Sequence, residues 1–168
     1  MATNFVKSLN KEYFALIILI SFLLCFGYYL QYFENLEPCS LCLIQRFFYI
    51  CIFVFSSICL ILSRLSLPCL LSLGGATITA FSGALVALRQ VWLQRFSDSN
   101  SIECGPDLSF MLENFSIAST LKSLYQGTSD CATIKWQFMG GSIADWSLFF
   151  FILIFAYCAY LISLVMKS

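Results

Sequence analysis

Residues 146–166 read WSLFFFILIFAYCAYLISLVM, 21 residues without a charge, closed by Lys167. A helix rises about 1.5 Å per residue and crosses the hydrocarbon core of a bilayer in about 20 residues. This stretch is long enough to span. Working back along the chain, three further apolar runs occur: Leu70–Leu88, then Phe47–Leu62 with Leu43-Ile44 ahead of it, and Phe14–Leu30. Backbone groups in lipid have no water to bond, so such runs must satisfy themselves as helices. Lys7 and Lys11 precede the first run, as they would in a signal peptide. Gly27-Tyr28-Tyr29 is not a small-x-small cleavage site, however, which favours an uncleaved span. The expected fold is an all-α membrane protein, a four-transmembrane-helix bundle forming one domain over 1–168. Its spans are expected at about 14–30, 44–62, 70–88 and 146–166, with loops at about 31–43 and 89–145.

Composition agrees. Of 168 residues, 60% are hydrophobic and 11% charged, against about 25% charged in an ordinary soluble domain. This excludes a soluble enzyme and a disordered chain. Net charge is zero and no basic stretch occurs, so there is no surface for a nucleic-acid partner. The absence of His removes His-ligated haem, His-containing zinc sites and His general bases. No Gly-rich dinucleotide or phosphate loop occurs either. Nine Cys remain as the chemically capable side chains. No metal, haem or flavin is expected.

Small residues suggest how the bundle closes. Ala76, Ala80 and Ala84 recur every fourth residue, and Thr79, Gly83 and Ala87 repeat the spacing on the adjacent face. Such positions let helix backbones approach closely in lipid. Tyr28, Tyr29, Tyr32, Trp92 and Trp146 stand at the run ends, as interfacial aromatics do. The long loop Arg89–Asp145 holds six of the nine acids. Within it, Leu108, Met111, Leu112, Phe115, Ala118, Leu121 and Tyr125 fall at helical spacing, predicting a short amphipathic helix lying on the bilayer.

Five Cys belong to the spans: Cys25, Cys51, Cys59, Cys69 and Cys158. There a free Cys behaves as a small apolar residue, and packing is the expected role. The other four lie outside the lipid. Cys39 and Cys42 form Pro38-Cys39-Ser40-Leu41-Cys42 in the first loop, and Cys104 and Cys131 lie in the third. With four spans, those loops share one face by parity. Cys42 and Arg46 are four residues apart where the second span begins, so they share a helix face. A helix N-terminus and a permanent cation both favour a thiolate at Cys42. The plainer alternative is that Arg46 only snorkels to the interface.

Cys104 and Cys131 enclose 26 residues. A bridge there would constrain the unfolded chain by roughly 3–4 kcal/mol, and it could be no more than a staple for the loop. A four-cysteine zinc site is a further alternative, weakened because the second pair lacks zinc-knuckle spacing. Two Cys pairs on one face, one at the membrane surface and one in a mobile loop, suggest thiol–disulfide relay. The electrons must then leave through an acceptor at the lipid boundary, and by elimination a quinone fits.

The chain resembles the DsbB family, the bacterial disulfide bond formation protein B family. Pro38-Cys39-Ser40-Leu41-Cys42-Leu43-Ile44-Gln45-Arg46 resembles its PCxLCxxxR stretch, with Gln45 where relatives commonly carry an acid. Ser129-Asp130-Cys131-Ala132 with Trp136, Phe138 and Gly140 resembles its approach to the last helix. Cys104-Gly105-Pro106 and Met111-Leu112-Glu113-Asn114-Phe115 are also similar, and the likeness runs from about Tyr13 to Val165.

The resemblance implies a membrane thiol:quinone oxidoreductase using ubiquinone or menaquinone. Its partner would be a periplasmic, DsbA-like thioredoxin-fold oxidase. It implies catalytic roles for Cys39, Cys42, Cys104 and Cys131. Cys104 would form the mixed disulfide with the partner, and Cys131 would pass reducing equivalents to Cys39. Cys42 would lie beside the quinone, with Arg46 orienting the ring. Basic residues number four on the face with the amino terminus and five on the other, so the positive-inside tally does not orient the chain. Disulfide chemistry needs an oxidising compartment, which places the Cys loops in the periplasm and both termini in the cytoplasm of a bacterial inner-membrane protein. Two alternatives stand: a specialised paralogue serving one dedicated oxidase, and a non-catalytic membrane scaffold with a stapled loop.

Overall fold

The structure, a computed structural model, describes residues 2–36, 38–62, 66–96, 129–134 and 136–167. Four long helices carry the fold: α1 (Ala2–Phe33), α2 (Ser40–Ile61), α3 (Ser66–Phe96) and α5 (Ile143–Lys167). Between α3 and α5 lie a four-residue helix, α4 (Ser129–Ala132), and a small hairpin of β1 (Gln137–Phe138) and β2 (Gly141–Ser142). All four long helices contain stretches long and apolar enough to cross a membrane. The four-helix membrane architecture is as expected.

The bundle is built for lipid outside and close packing inside. Phe22, Ile78 and Ile152 are 65%, 70% and 54% exposed, and exposed apolar area on this scale suits hydrocarbon rather than water. Inside, Ala76, Ala80 and Ala87 are fully buried on α3, so the small-residue faces are the packing faces. Gly83 shows why a small residue is required there: a Cβ added to it would overlap the Phe151 ring of α5. Phe151 in turn stacks on Tyr49 of α2, ring centroids 4.2 Å apart. At one end of the bundle Tyr157 donates to the Glu12 carboxylate, tying α5 to α1. At the other, Arg95 pairs with Asp145 at 2.8 Å and Ser142 Oγ donates to Gln94 at 2.7 Å.

Those last contacts correct the expected boundaries. The expected loop begins at Arg89 because residues 89–96 carry Arg89, Gln90, Gln94 and Arg95, yet α3 continues through Phe96. A helical hydrogen-bond ladder is indifferent to side-chain polarity, and here the polar side chains find partners on α2, α5 and β2. Likewise α1 begins at Ala2 and α2 at Ser40, earlier than the apolar runs. The hairpin is a further difference from the expected loop. Its Met139-Gly140 turn takes positive φ at both residues, 51° and 81°, the geometry that matches strand twist in a two-residue loop.

A second correction concerns the span cysteines. Cys59 and Cys69, expected only to pack, are joined as a disulfide between the end of α2 and the start of α3, with Cα atoms 4.5 Å apart. The packing of α3 back against α2 sets the two positions face to face, which their separation in sequence does not reveal. Cys25, Cys51 and Cys158 are free. Cys104 and the amphipathic segment Leu108–Tyr125 lie outside the described residues.

Candidate functional site

Cys39 is the N-cap of α2, with extended backbone (φ −69°, ψ 168°), and its carbonyl accepts the Leu43 N–H at 3.1 Å. This places Cys42 in the first helical turn, where N–H groups without helical partners make the surroundings positive. The two sulfurs are 3.2 Å apart. One strand-free turn of chain therefore holds them at exchange distance.

Cys131 joins them from the other end of the sequence. It was expected in a mobile, water-accessible loop. Instead α4 buries it completely against Leu41 of α2 and Leu93 of α3, in a cluster that Cys39 also packs on. Its sulfur is 3.5 Å from Ser40 Oγ. The apolar pair Leu41 and Leu93 gives α4 its seat, on which Cys131 is buried, with Ala132 buried next to it. Hydrogen bonding with the sulfur of Cys131, then with that of Cys42, and burial itself push the Cys39 thiol well above the ordinary thiol range. Three of the four expected site cysteines thus meet in one place.

Arg46 is on the expected helix face but points elsewhere than expected. Its guanidinium turns to α1, where Nη1 donates to Gln31 Oε1 at 2.5 Å and Nη2 to the Gly27 carbonyl at 2.9 Å. The Tyr28 ring lies 5.0 Å from it, close enough for cation–π attraction. The N–H neighbour of the sulfurs is instead Gln90 of α3, whose Nε2 is 3.3 Å from Cys42 Sγ and 3.5 Å from Cys39 Sγ. Gln90 Oε1 accepts from Gln45 Nε2 at 2.7 Å, and both amides are buried.

Sequence reasoning noted Gln45 only as a departure within the family motif, and did not single out Gln31, Gly27 or Gln90 as parts of the site. The available signal was weak: an uncharged polar residue beside or within a span, which lipid tolerates only facing the bundle interior.

A cavity of about 500 Å³ opens beside this group. Phe22, Phe26, Trp136 and Trp146 supply aromatic wall, while Cys42 and Arg46 stand on the same lining. Trp136 packs edge-on to Phe26 at 6.0 Å and stacks on Phe138 at 6.0 Å. Trp146, expected to be a simple interfacial anchor, donates its indole N–H to the Phe138 carbonyl at 3.2 Å. The hairpin is therefore a wall of the cavity, fastened to α5. Such a space suits a flat apolar ring with acceptor atoms at its edge.

The family model described as "Disulfide bond formation protein DsbB" matches residues 10–161. "Disulfide bond formation protein B" of Aromatoleum aromaticum is 36% identical over 145 residues, covering 86% of this chain and 87% of the relative. The protein of the same name from Hahella chejuensis is 37% identical over 147 residues, covering 83% and 85%. That of Albidiferax ferrireducens is 34% identical over 158 residues, covering 92% and 88%. No solved structure matches the chain. Four membrane-spanning helices, a cysteine group at one end of the bundle and a family match over nearly the whole length agree: this chain belongs to the DsbB family of disulfide bond formation proteins.

Proposed function

We propose that the chain is a protein-disulfide:quinone oxidoreductase that reoxidises a DsbA-like, thioredoxin-fold dithiol oxidase and delivers the electrons to a membrane quinone. The observation that carries this reading is the burial of Cys131 beside Cys39 and Cys42, the latter two lining an aromatic cavity together with Arg46. A merely structural loop bridge would give no reason to set one of its sulfurs against a second dithiol.

Cys104 offers its sulfur to the attacking thiolate of the oxidase, and Cys131 leaves as thiolate. Cys131 then attacks Cys39 Sγ of the Cys39–Cys42 disulfide, forming the Cys39–Cys131 bond and releasing Cys42 as thiolate. Arg46, anchored on α1, presents a fixed cation to the cavity, and the aromatic walls exclude water. The cavity fits a quinone: flat walls, a cation for an edge oxygen, and Cys42 on the lining. When bound, a quinone supplies the two-electron acceptor. The whole chain 1–168 acts as one membrane domain of a bacterial inner membrane, with both termini cytoplasmic and the cysteine loops periplasmic.

Lipid extraction of the purified protein, followed by quinone assay and a dithiol-oxidation assay with a DsbA-like partner, tests this. Co-purifying quinone and quinone-dependent oxidation are expected. A quinone-free protein that oxidises no dithiol would instead favour a membrane scaffold with a stapled loop.

A further inference from the structure

Gln90 and Gln45 form a buried amide pair between α3 and α2, and one end of the pair faces the cysteines. Gln45 Nε2 donates to Gln90 Oε1 at 2.7 Å. That bond occupies the carbonyl end of Gln90 and leaves its NH₂ toward the sulfurs, 3.3 Å from Cys42 and 3.5 Å from Cys39. Gln90 Oε1 is farther from Cys42 Sγ, at 3.7 Å. The two side chains are 3% and 4% exposed, so water does not substitute for either partner. Arg46, the nearest cation along α2, spends its hydrogen bonds on Gln31 and Gly27 of α1.

We infer that Gln90 is a catalytic residue of the relay, whose side-chain N–H stabilises the thiolate released on Cys42, and that Gln45 is its positioning residue. This rests on the proposed exchange between the cysteines. In that step the Cys131 thiolate attacks Cys39, the S–S bond between Cys39 and Cys42 breaks, and its electron pair goes to Cys42 Sγ. Charge develops on the sulfur nearest to Gln90 Nε2. A leaving thiolate that is better stabilised leaves faster, and it also holds the couple more oxidising by favouring the reduced form. A neutral amide does this without placing a second buried cation beside Arg46. The direction of the amide is decisive, because a carbonyl oxygen turned toward a thiolate repels it.

The test is the thiol–disulfide equilibrium of Cys39–Cys42 against a glutathione redox buffer, measured on the full chain in nanodiscs with Cys104 and Cys131 replaced by Ser. Gln90→Leu removes the donor and should move the equilibrium constant toward the disulfide by about tenfold, the scale of one hydrogen bond to a charged group. Gln45→Glu leaves Gln90 intact and, as the carboxylate, can only accept. It should draw the Gln90 NH₂ away, turn Oε1 to the sulfurs and shift the equilibrium in the same direction. If Gln90→Leu fails to fold, Gln45→Glu carries the test by itself. A shift in neither folded variant, or a shift in Gln90→Leu with none in Gln45→Glu, overturns the inference. If the parent protein forms no Cys39–Cys42 disulfide at any buffer ratio, the proposed relay fails, and this inference with it. A disulfide that forms normally but ignores both substitutions defeats only the role of the amides.

Discussion

Arg46 Nη2 donates to the Gly27 carbonyl oxygen at 2.9 Å, so the cation of α2 is held by the backbone of α1. Gln31, one helical turn beyond Gly27, accepts from the other arm of the guanidinium. A flexible surface arginine has no such partners. The bond pattern makes Arg46 a rigid part of the cavity wall, with the remaining donors of its fork free of the entropy cost of ordering a long side chain.

Arg46→Ala should therefore raise the apparent KM for quinone by on the order of tenfold, the scale of a lost charge-assisted hydrogen bond. Arg46→Lys should recover little, because an ammonium cannot span Gln31 and Gly27 as the planar fork does. Steady-state kinetics with varied quinone checks both variants. Unchanged KM and kcat in Arg46→Ala would reduce this side chain to an interfacial anchor.

The burial of Cys131 bears on the order of the proposed relay. A soluble oxidase cannot reach the sulfur of a completely buried residue packed on Leu41 and Leu93, so attack should fall on Cys104. A partner lacking its own resolving cysteine should be trapped there, with peptide mass spectrometry under non-reducing conditions locating the bond. An adduct on Cys39, Cys42 or Cys131 would contradict this order.

Cys39 should respond to pH as a thiol held in its neutral form. Hydrogen bonding with Cys131 and Cys42, together with burial, raises its pKa above the ordinary value, so the folded state binds that proton more tightly than the unfolded chain does. The associated stability is complete below the unfolded thiol pKa and declines as pH rises above it. In the reduced protein, alkylation of Cys39 by iodoacetamide should remain slow up to pH about 9, where an unperturbed thiol of pKa about 8.5 is already mostly thiolate. Quantitative mass spectrometry against an unfolded control gives the comparison. Equal rates for folded and unfolded protein at pH 9 would rule the raised value out.

Gly83 is the packing position most sensitive to size. Gly83→Leu drives a side chain into the Phe151 ring and should cost about 3 kcal/mol, the upper part of the usual overpacking range. Adding Phe151→Ala should restore part of that loss, because the space vacated accepts the leucine. Thermal unfolding in detergent would show both effects. A Gly83→Leu protein with unchanged Tm would mean that α3 and α5 can separate at no cost.

Apolar length and residue spacing made the main elements of the fold legible. Uninterrupted apolar length specifies helices in lipid, because no other open structure satisfies its backbone there. Four-residue spacing of Ala and Gly on α3 marked its packing faces, and the Cys-x-x-Cys stretch with Arg46 one helical turn on marked the candidate site. Tertiary structure decided what depends on where distant segments meet. Only packing brings Cys131 under Leu93 and beside Cys39, 92 residues away in sequence. Only packing closes the bond between Cys59 and Cys69, turns Arg46 to α1 instead of to Cys42, and joins Gln45 to Gln90. The ends of the helices were also decided there: polar residues 89–96 look like loop when composition alone is weighed, but their partners on α2, β2 and α5 keep them helical. A hydrogen bond between side chains on different helices leaves no period in either sequence, because its geometry belongs to the bundle and not to the strand of residues that supplies each half.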